Sequence, residues 1–313
     1  MRRLVVPIFV LLLFAEIAAA IGIVMAQPGG FGSLVDVGAI NLGPERRQDV
    51  AQRTLALNGQ ATNITINSMG GQVEITGDPA LKDVTVKGTK IIHSFKESDF
   101  DRISFNVVQD ANNIRIEANQ ANKRFSLGFG DQMIIRVALP PILLAQLTTT
   151  VGSADINLKG LQNEKATFVF NSGSGDLNAT DMQVTKVTVK SGSGDISLNN
   201  FIGSLDATTG SGDISLSGQN RLNDLNFQTG SGDVQIIAVL NTINNSFIKT
   251  GNGDVRLKIS DANFPGFNIS TGSGNINFKL TNIQAVLNEK HAFKTSGSPV
   301  LNIKTGSGDV TVE

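Results

Sequence analysis

Cysteine, tryptophan and tyrosine are absent from this chain of 313 residues. Without cysteine there is no disulfide, no thiol nucleophile and no thiolate metal ligand, so burial and backbone pairing must supply the stability. Without tryptophan or tyrosine the amphipathic rings on which bases and sugars stack are missing, and 17 phenylalanines are the whole aromatic supply. Excess charge is lacking too. Lys and Arg number 26 against 27 Asp and Glu, a net charge of −1 that leaves no electrostatic footprint for nucleic acid. His93 and His291 are the only histidines and lie far apart in sequence, which argues against a histidine-based active site or metal cluster; both read as surface residues.

One long apolar run occurs, at the amino terminus. Arg2 and Arg3 precede Leu4 to Ala26, broken only by Pro7 and Glu16, which is the pattern of an export signal. Small and apolar residues at Val24-Met25-Ala26, or at Ala18-Ala19-Ala20, allow cleavage. The run is also long enough to span a bilayer uncleaved, with Glu16 near the midplane at a cost of about 2.5–3.5 kcal/mol. Residues 1–26 are therefore a signal peptide or a membrane anchor. Residues 27–53, with Gly29, Gly30, Gly32, Gly38, Gly43 and Pro44 and no sustained period, read as a flexible linker.

Glycine is abundant at 33 residues, and its placement is periodic. Gly173-Ser174-Gly175-Asp176-Leu177 recurs as Gly192 to Ile196, Gly210 to Ile214 and Gly230 to Val234. Variants begin at Gly152, Gly251, Gly272 and Gly306. Taking the Asp or Asn as anchor, successive copies lie 18 to 21 residues apart, and the last step is 34. One and three residues after the anchor stand apolar pairs such as Ile156/Leu158, Ile196/Leu198, Val234/Ile236 and Val310/Val312, with a polar residue between them. Eight and six residues before it stand further pairs such as Phe168/Phe170, Val187/Val189 and Phe267/Ile269, the exceptions being Thr149 and Ser246. This is the period-two alternation of a half-buried strand on each side of a Gly-x-Gly corner.

Like residues recurring at one phase stack naturally when equivalent strands pair in parallel and in register. The chain from 141 to 313 therefore reads as a parallel β-solenoid of about 20-residue, two-strand rungs, eight in number, its corners needing glycine for their backbone angles. The variable connectors supply Leu161, Met182, Phe201, Leu222, Val239 and Phe264 as plugs for the opposite corner. Residues 54–140 repeat the theme less regularly, at Ile64 to Ile75 and then at Val84, Ile103, Ile114 and Ile134, and read as irregular rungs or a cap. With the sequence ending at Glu313, directly after Val310 and Val312, the last rung is expected to expose a strand edge.

The chemically suggestive constellation is the column of Asp155, Asp176, Asp195, Asp213, Asp233, Asp254 and Asp309, with Asn275 as an interruption. Carboxylates about 5 Å apart repel by roughly 1 kcal/mol in water, so something must compensate. One reading has each Asp accept hydrogen bonds from its own turn amides. The other places calcium along the ladder, although calcium wants six to eight oxygens and one carboxylate per rung supplies few. Sequons at Asn63, Asn178, Asn244 and Asn268 matter only in a glycosylating host. No motif positions a nucleophile or a general base, so no catalytic residue and no cofactor is expected.

The Ser/Thr-Gly-Ser-Gly-Asp-Ile phrase at this spacing, with a strand ending at Leu139-Pro140 before the first rung, resembles the bacterial "putative adhesin" domain family of unknown function. The resemblance covers roughly residues 54 to 313. It implies a β-solenoid with an export signal or membrane segment, and in some members an association with envelope-stress systems, but it identifies no binding residues. Ala154, Asn275 and the long insertion between Leu280 and Leu301 depart from the pattern. The expectation is a non-catalytic, exported module of the cell surface or envelope, binding a surface protein or polysaccharide and no nucleic acid. It would touch a membrane only through its amino-terminal segment, if that segment is uncleaved. Alternatives are a carbohydrate-active β-helix enzyme and a membrane-anchored envelope-stress accessory.

Overall fold

Alternating apolar and polar residues on either side of a glycine corner form parallel strands, each stacked on its equivalent. A computed structural model describes residues 43–120, 131–240, 246–259, 266–280, 285–289, 291–297 and 300–313. The apolar run at 4–26, Asn244 and Phe264 lie outside the described residues. Among the described residues no helix is long and apolar enough to cross a membrane.

Strands before the corner form one ladder and strands after it form another. In the first, Phe168 pairs with Val187, Val187 with Leu205 and Leu205 with Leu225, all buried. In the second, Ile156, Leu177, Ile196, Ile214, Val234 and Val255 follow one another in register. Ile196 and Ile214 are fully buried, so the continuous apolar interior follows directly from the period-two pattern. Thr149 and Ser246, the polar exceptions, are buried as well.

The rungs are not two-stranded throughout. Across the middle of the stack a third, short ladder pairs Gln162 with Gln183, Gln183 with Ile202, Ile202 with Arg221 and Arg221 with Val239. Leu161, Met182, Phe201 and Leu222 plug the interior behind it. Val239 does not; it is half-exposed, and Ala238 and Leu240 fill that place. The third strand escapes the period-two reading because it is only two or three residues long in most rungs.

Ten rungs stack among the described residues, and at both ends their order departs from chain order. Strand Thr62–Ser68 lies between Asn113–Gln120 and Leu144–Val151, and Gly71–Gly77 lies between Gln132–Leu139 and Asp155–Lys159. The second inversion corrects the expectation of a free carboxyl-terminal edge. Strand Val300–Thr305 sits between Phe247–Thr250 and Gly266–Thr271, and Val310–Val312 sits between Val255–Ile259 and Ile276–Phe278. The end of the stack is therefore the rung 266–278, where Ile276 and Phe278 are only half-buried. Phe278 stacks on Phe293 at 4.3 Å and meets Phe267 edge-on at 5.3 Å, partly closing that end.

Antiparallel strands stop the parallel stacking. Ile103–Asp110 covers Asn113–Gln120, and Val84–His93 covers Gln132–Leu139. Glu45–Leu55 in turn covers Val84–His93 and begins inside the stretch that reads as linker. It is mostly exposed and holds on through Val50 and Leu55, so it carries little alternation to be recognised by. At the other end the hairpin Ala285–Glu289/Ala292–Thr295 lies on Gly266–Thr271.

The corner glycines are needed for closeness, not for backbone angles. Positive φ among the described glycines occurs at Gly59, Gly71, Gly160, Gly203, Gly218 and Gly297, and none of these belongs to the repeated corners from Gly152 to Gly308. There, each backbone rests on the carbonyl of the corner beneath. A Cβ on Gly192 would lie 2.3 Å from the Gly173 oxygen, and one on Gly212 would lie 2.1 Å from the Gly194 oxygen. Backbone hydrogen bonds such as Gly173 N to Gly152 O, 2.8 Å, hold that spacing. Gly212→Ala is expected to lose about 2–4 kcal/mol through this overlap. Its neighbour Ser211→Ala, on the exposed tip of the same corner, should lose under about 0.5 kcal/mol. Urea denaturation of the two variants reads the difference.

Candidate functional site

The glycine corner engages its backbone amides, the hydroxyl before its first glycine and one oxygen of its aspartate within the stack. The residue before the first glycine accepts from the second glycine's amide, as in Gly212 N to Thr209 Oγ1, 3.2 Å, and Gly232 N to Thr229 Oγ1, 3.0 Å. Each threonine hydroxyl also donates across the stack, Thr229 to the Gly212 carbonyl at 2.9 Å and Thr250 to the Gly232 carbonyl at 2.9 Å.

The aspartates act across rungs as well. Each Oδ1 accepts the backbone amide of the next rung's aspartate rather than an amide of its own turn, which corrects the local reading. The chain of contacts runs from Asp155 to Asp176, 3.0 Å, Asp195, 2.8 Å, Asp213, 2.8 Å, Asp233, 2.7 Å, Asp254, 2.8 Å, and Asp309, 2.8 Å. Asn275 closes it, its amide donating to Asp309 Oδ1 at 2.7 Å. Asn275 therefore does not interrupt the column. It ends it, because the rung 300–313 enters between Asp254 and Asn275. A neutral amide stands where, among the described residues, no further rung supplies a backbone donor to offset a carboxylate. Among the described residues no group of three or more His, Cys, Asp or Glu is placed to hold a metal ion.

The two histidines are half-buried rather than on the open surface. His291 Nδ1 lies 3.0 Å from the carbonyl of Gly274, the corner carbonyl of the end rung. It takes the place that the next rung's threonine fills elsewhere. His93 sits in the antiparallel cap with Nε2 4.0 Å from Glu45 Oε2. In the same cap the Ser94 hydroxyl and Arg102 hold the Asp99 carboxyl below its usual range, while burial pushes Asp131 up against the opposing pull of Arg102.

A second corner, between the trailing strand and the third ladder, has the opposite balance. Gly160, Asp181, Asn200 and Gly218 stack there with φ of 68°, 56°, 56° and 82°. These are residue types that tolerate the left-handed region. All four stand five residues after their anchor aspartates, a column legible in the sequence that the anchor-centred reading passed over. Asn200 Nδ2 donates to Asp181 Oδ1 at 2.8 Å, and Gln219 N donates to Asn200 Oδ1 at 2.9 Å. Behind them Asn220 is buried, accepting from Phe201 N and donating to the Ser217 and Ile237 carbonyls, each at 2.8 Å.

Over this corner runs a groove of about 450 Å³ lined by Gln162, Asp181, Met182, Gln183, Asn200, Ile202 and Gln219. A neighbouring one of about 620 Å³ shares Gln162 and Gln183 and adds Ala61, Ile142, Leu143, Ala145, Asn163, Glu164 and Lys165. Gln183 Nε2 donates to Glu164 Oε1, and Asn163 Nδ2 donates to the Leu144 carbonyl at 2.9 Å. The side chains of Gln162 and Gln219 make no hydrogen bond with the described residues and are exposed. Ile142, 71% exposed, adds an apolar edge.

A family model described as Toastrack DUF4097 matches residues 63–313. Solved structures similar to the chain include a "putative adhesin" from Bacteroides fragilis, at 14% identity and a TM-score of 0.48, with 86% of this chain and 97% of that one covered. A "putative lipid binding protein" from Parabacteroides distasonis stands at 14% identity and 0.48, with 87% and 97% covered. A "putative cell adhesion protein" from Clostridium sporogenes stands at 12% and 0.33, with 85% and 99% covered. A comparison with curated proteins gives no match.

The aspartate ladder makes a prediction that separates its hydrogen bonds from its charge. Asp233→Ala removes the acceptor for Asp254 N and is expected to cost about 1 kcal/mol. Asp233→Asn keeps an acceptor in place and should lose less than half as much, measured as urea midpoints at constant m-value.

Proposed function

The chain belongs to the Toastrack DUF4097 family, and from that premise we propose that it is a cell-surface interaction module that binds a neutral polysaccharide along the connector groove. The observation that carries this reading is the contrast between the two corners. Around the glycine corner the threonine hydroxyls, the backbone amides and one oxygen of each aspartate are engaged within the stack. Over the connector corner, Gln162 and Gln219 each keep a free donor and a free acceptor, and both face a groove.

A primary amide offers the donor–acceptor pair that adjacent sugar hydroxyls match. Gln162 and Gln219 stand three rung steps apart, about 14 Å at about 4.8 Å each, a span suited to several units of an extended polymer. The lining carries Lys165 against Asp181 and Glu164, which favours an uncharged ligand over a polyanion. Binding rather than turnover is the reading favoured for the two carboxylates, since Glu164 is engaged by Gln183 and Asp181 by Asn200. Residues 1–26 would deliver the module to the envelope, cleaved or as an anchor.

Screening the full chain against immobilised neutral polysaccharides tests the proposal. A bound ligand should lose about 10-fold or more in affinity to the Gln162→Ala/Gln219→Ala double variant, on the basis of about 1 kcal/mol for each lost amide contact. Asp195→Asn, at the glycine corner, should leave affinity unchanged. Equal binding by the double variant, or the absence of any polysaccharide ligand, would overturn the assignment, and release of shortened chains would favour a hydrolase.

A further inference from the structure

We propose that the carboxyl-terminal rung, 300–313, is exchangeable between two copies of this chain, each donating its rung into the other's stack to give a reciprocal dimer. The inference is independent of the ligand groove and rests on the inverted order of the last rungs.

Rungs 247–259 and 266–278 follow one another in the chain, yet a whole rung separates them in space. That rung arrives later in the sequence and bonds to both. On one side Asp309 N donates to Asp254 Oδ1 at 2.8 Å and the Thr305 hydroxyl donates to the Gly253 carbonyl at 3.0 Å. On the other, Asn275 N donates to Asp309 Oδ1 at 2.7 Å and the Thr271 hydroxyl donates to the Gly308 carbonyl at 3.0 Å. Its inward side chains Leu301, Ile303, Val310 and Val312 are all 1% exposed or less.

Until the rung is in place, its slot stays open or its two neighbours stack directly on each other. The slot is selective, for a Cβ at Gly308 would stand 2.0 Å from the Gly253 carbonyl, so only a glycine corner in this register fits. The slot reads backbone and corner chemistry, and these are identical in a second copy. Exchange therefore trades each contact for its equal, and protein concentration decides between the one-chain and two-chain forms.

The absence of cysteine provides a clean test. Lys249 and Lys304 are exposed and directly paired across the slot, while Lys190 is exposed on the same ladder in a rung that should not exchange. Full-length K249C and K304C are mixed, refolded together from denaturant at high concentration and oxidised. The disulfide-linked two-chain species should be at least about tenfold more abundant than in a K249C/K190C mixture, because exchange holds the two thiols together while random encounter does not. Cross-linking no greater than that control, in a protein whose K249C/K304C double variant closes its internal disulfide, would overturn the proposal. So would a double variant that fails to close, since the neighbours would then be stacked on each other.

Discussion

The whole stack depends on how closely successive glycine corners approach. The amide of the first glycine in each corner bonds to a carbonyl one rung below, and no room is left for a side-chain carbon between the corners. This contact sets the rung spacing, and the spacing puts Ile196 on Ile214 and Phe168 on Val187. Burial of those side chains supplies the gain that a chain without disulfides needs. The threonine and aspartate of the corner then satisfy polar groups that the packing would otherwise strand.

From the same constraint follows a division of labour between corners. The glycine corner is committed to its own neighbours, since the aspartate's Oδ1 and the threonine hydroxyl both bond across rungs. The connector corner makes its turn with left-handed Gly160, Asp181, Asn200 and Gly218, a geometry that does not press rung on rung so uniformly. Connector length varies there, the third ladder is short, and amide side chains are left over. Variation and spare hydrogen-bonding capacity coincide on one face, which is why the proposed ligand groove is assigned there.

The regular part of the fold was readable because burial imposes a period of two and close approach imposes glycine, and both leave residues in columns. The order of the terminal rungs was not readable. Thr250-Gly251, Thr271-Gly272 and Thr305-Gly306 open the same phrase, so any of these corners can follow any other by local chemistry alone. Asn275 marks the true end, yet in chain order it looks like a defect. The caps escaped for a related reason: Glu45–Leu55 is mostly exposed, and His291 acts on Gly274 through space. Of the candidate site, the Gly160/Asp181/Asn200/Gly218 column was present in the sequence. The groove above it depends on how far neighbouring connectors project, which no residue pattern encodes.

Residue-resolved hydrogen exchange on the intact chain tests the central contact most directly. Asp195, Asp213, Asp233 and Asp254 belong to corners at the surface, where an ordinary turn amide exchanges freely. With their amides bonded to the carboxylate of the rung below, they should be protected by about a thousandfold or more, alongside the corner glycines. Exchange at the rate of an open loop at these positions, in a protein whose core strands stay protected, would contradict the account.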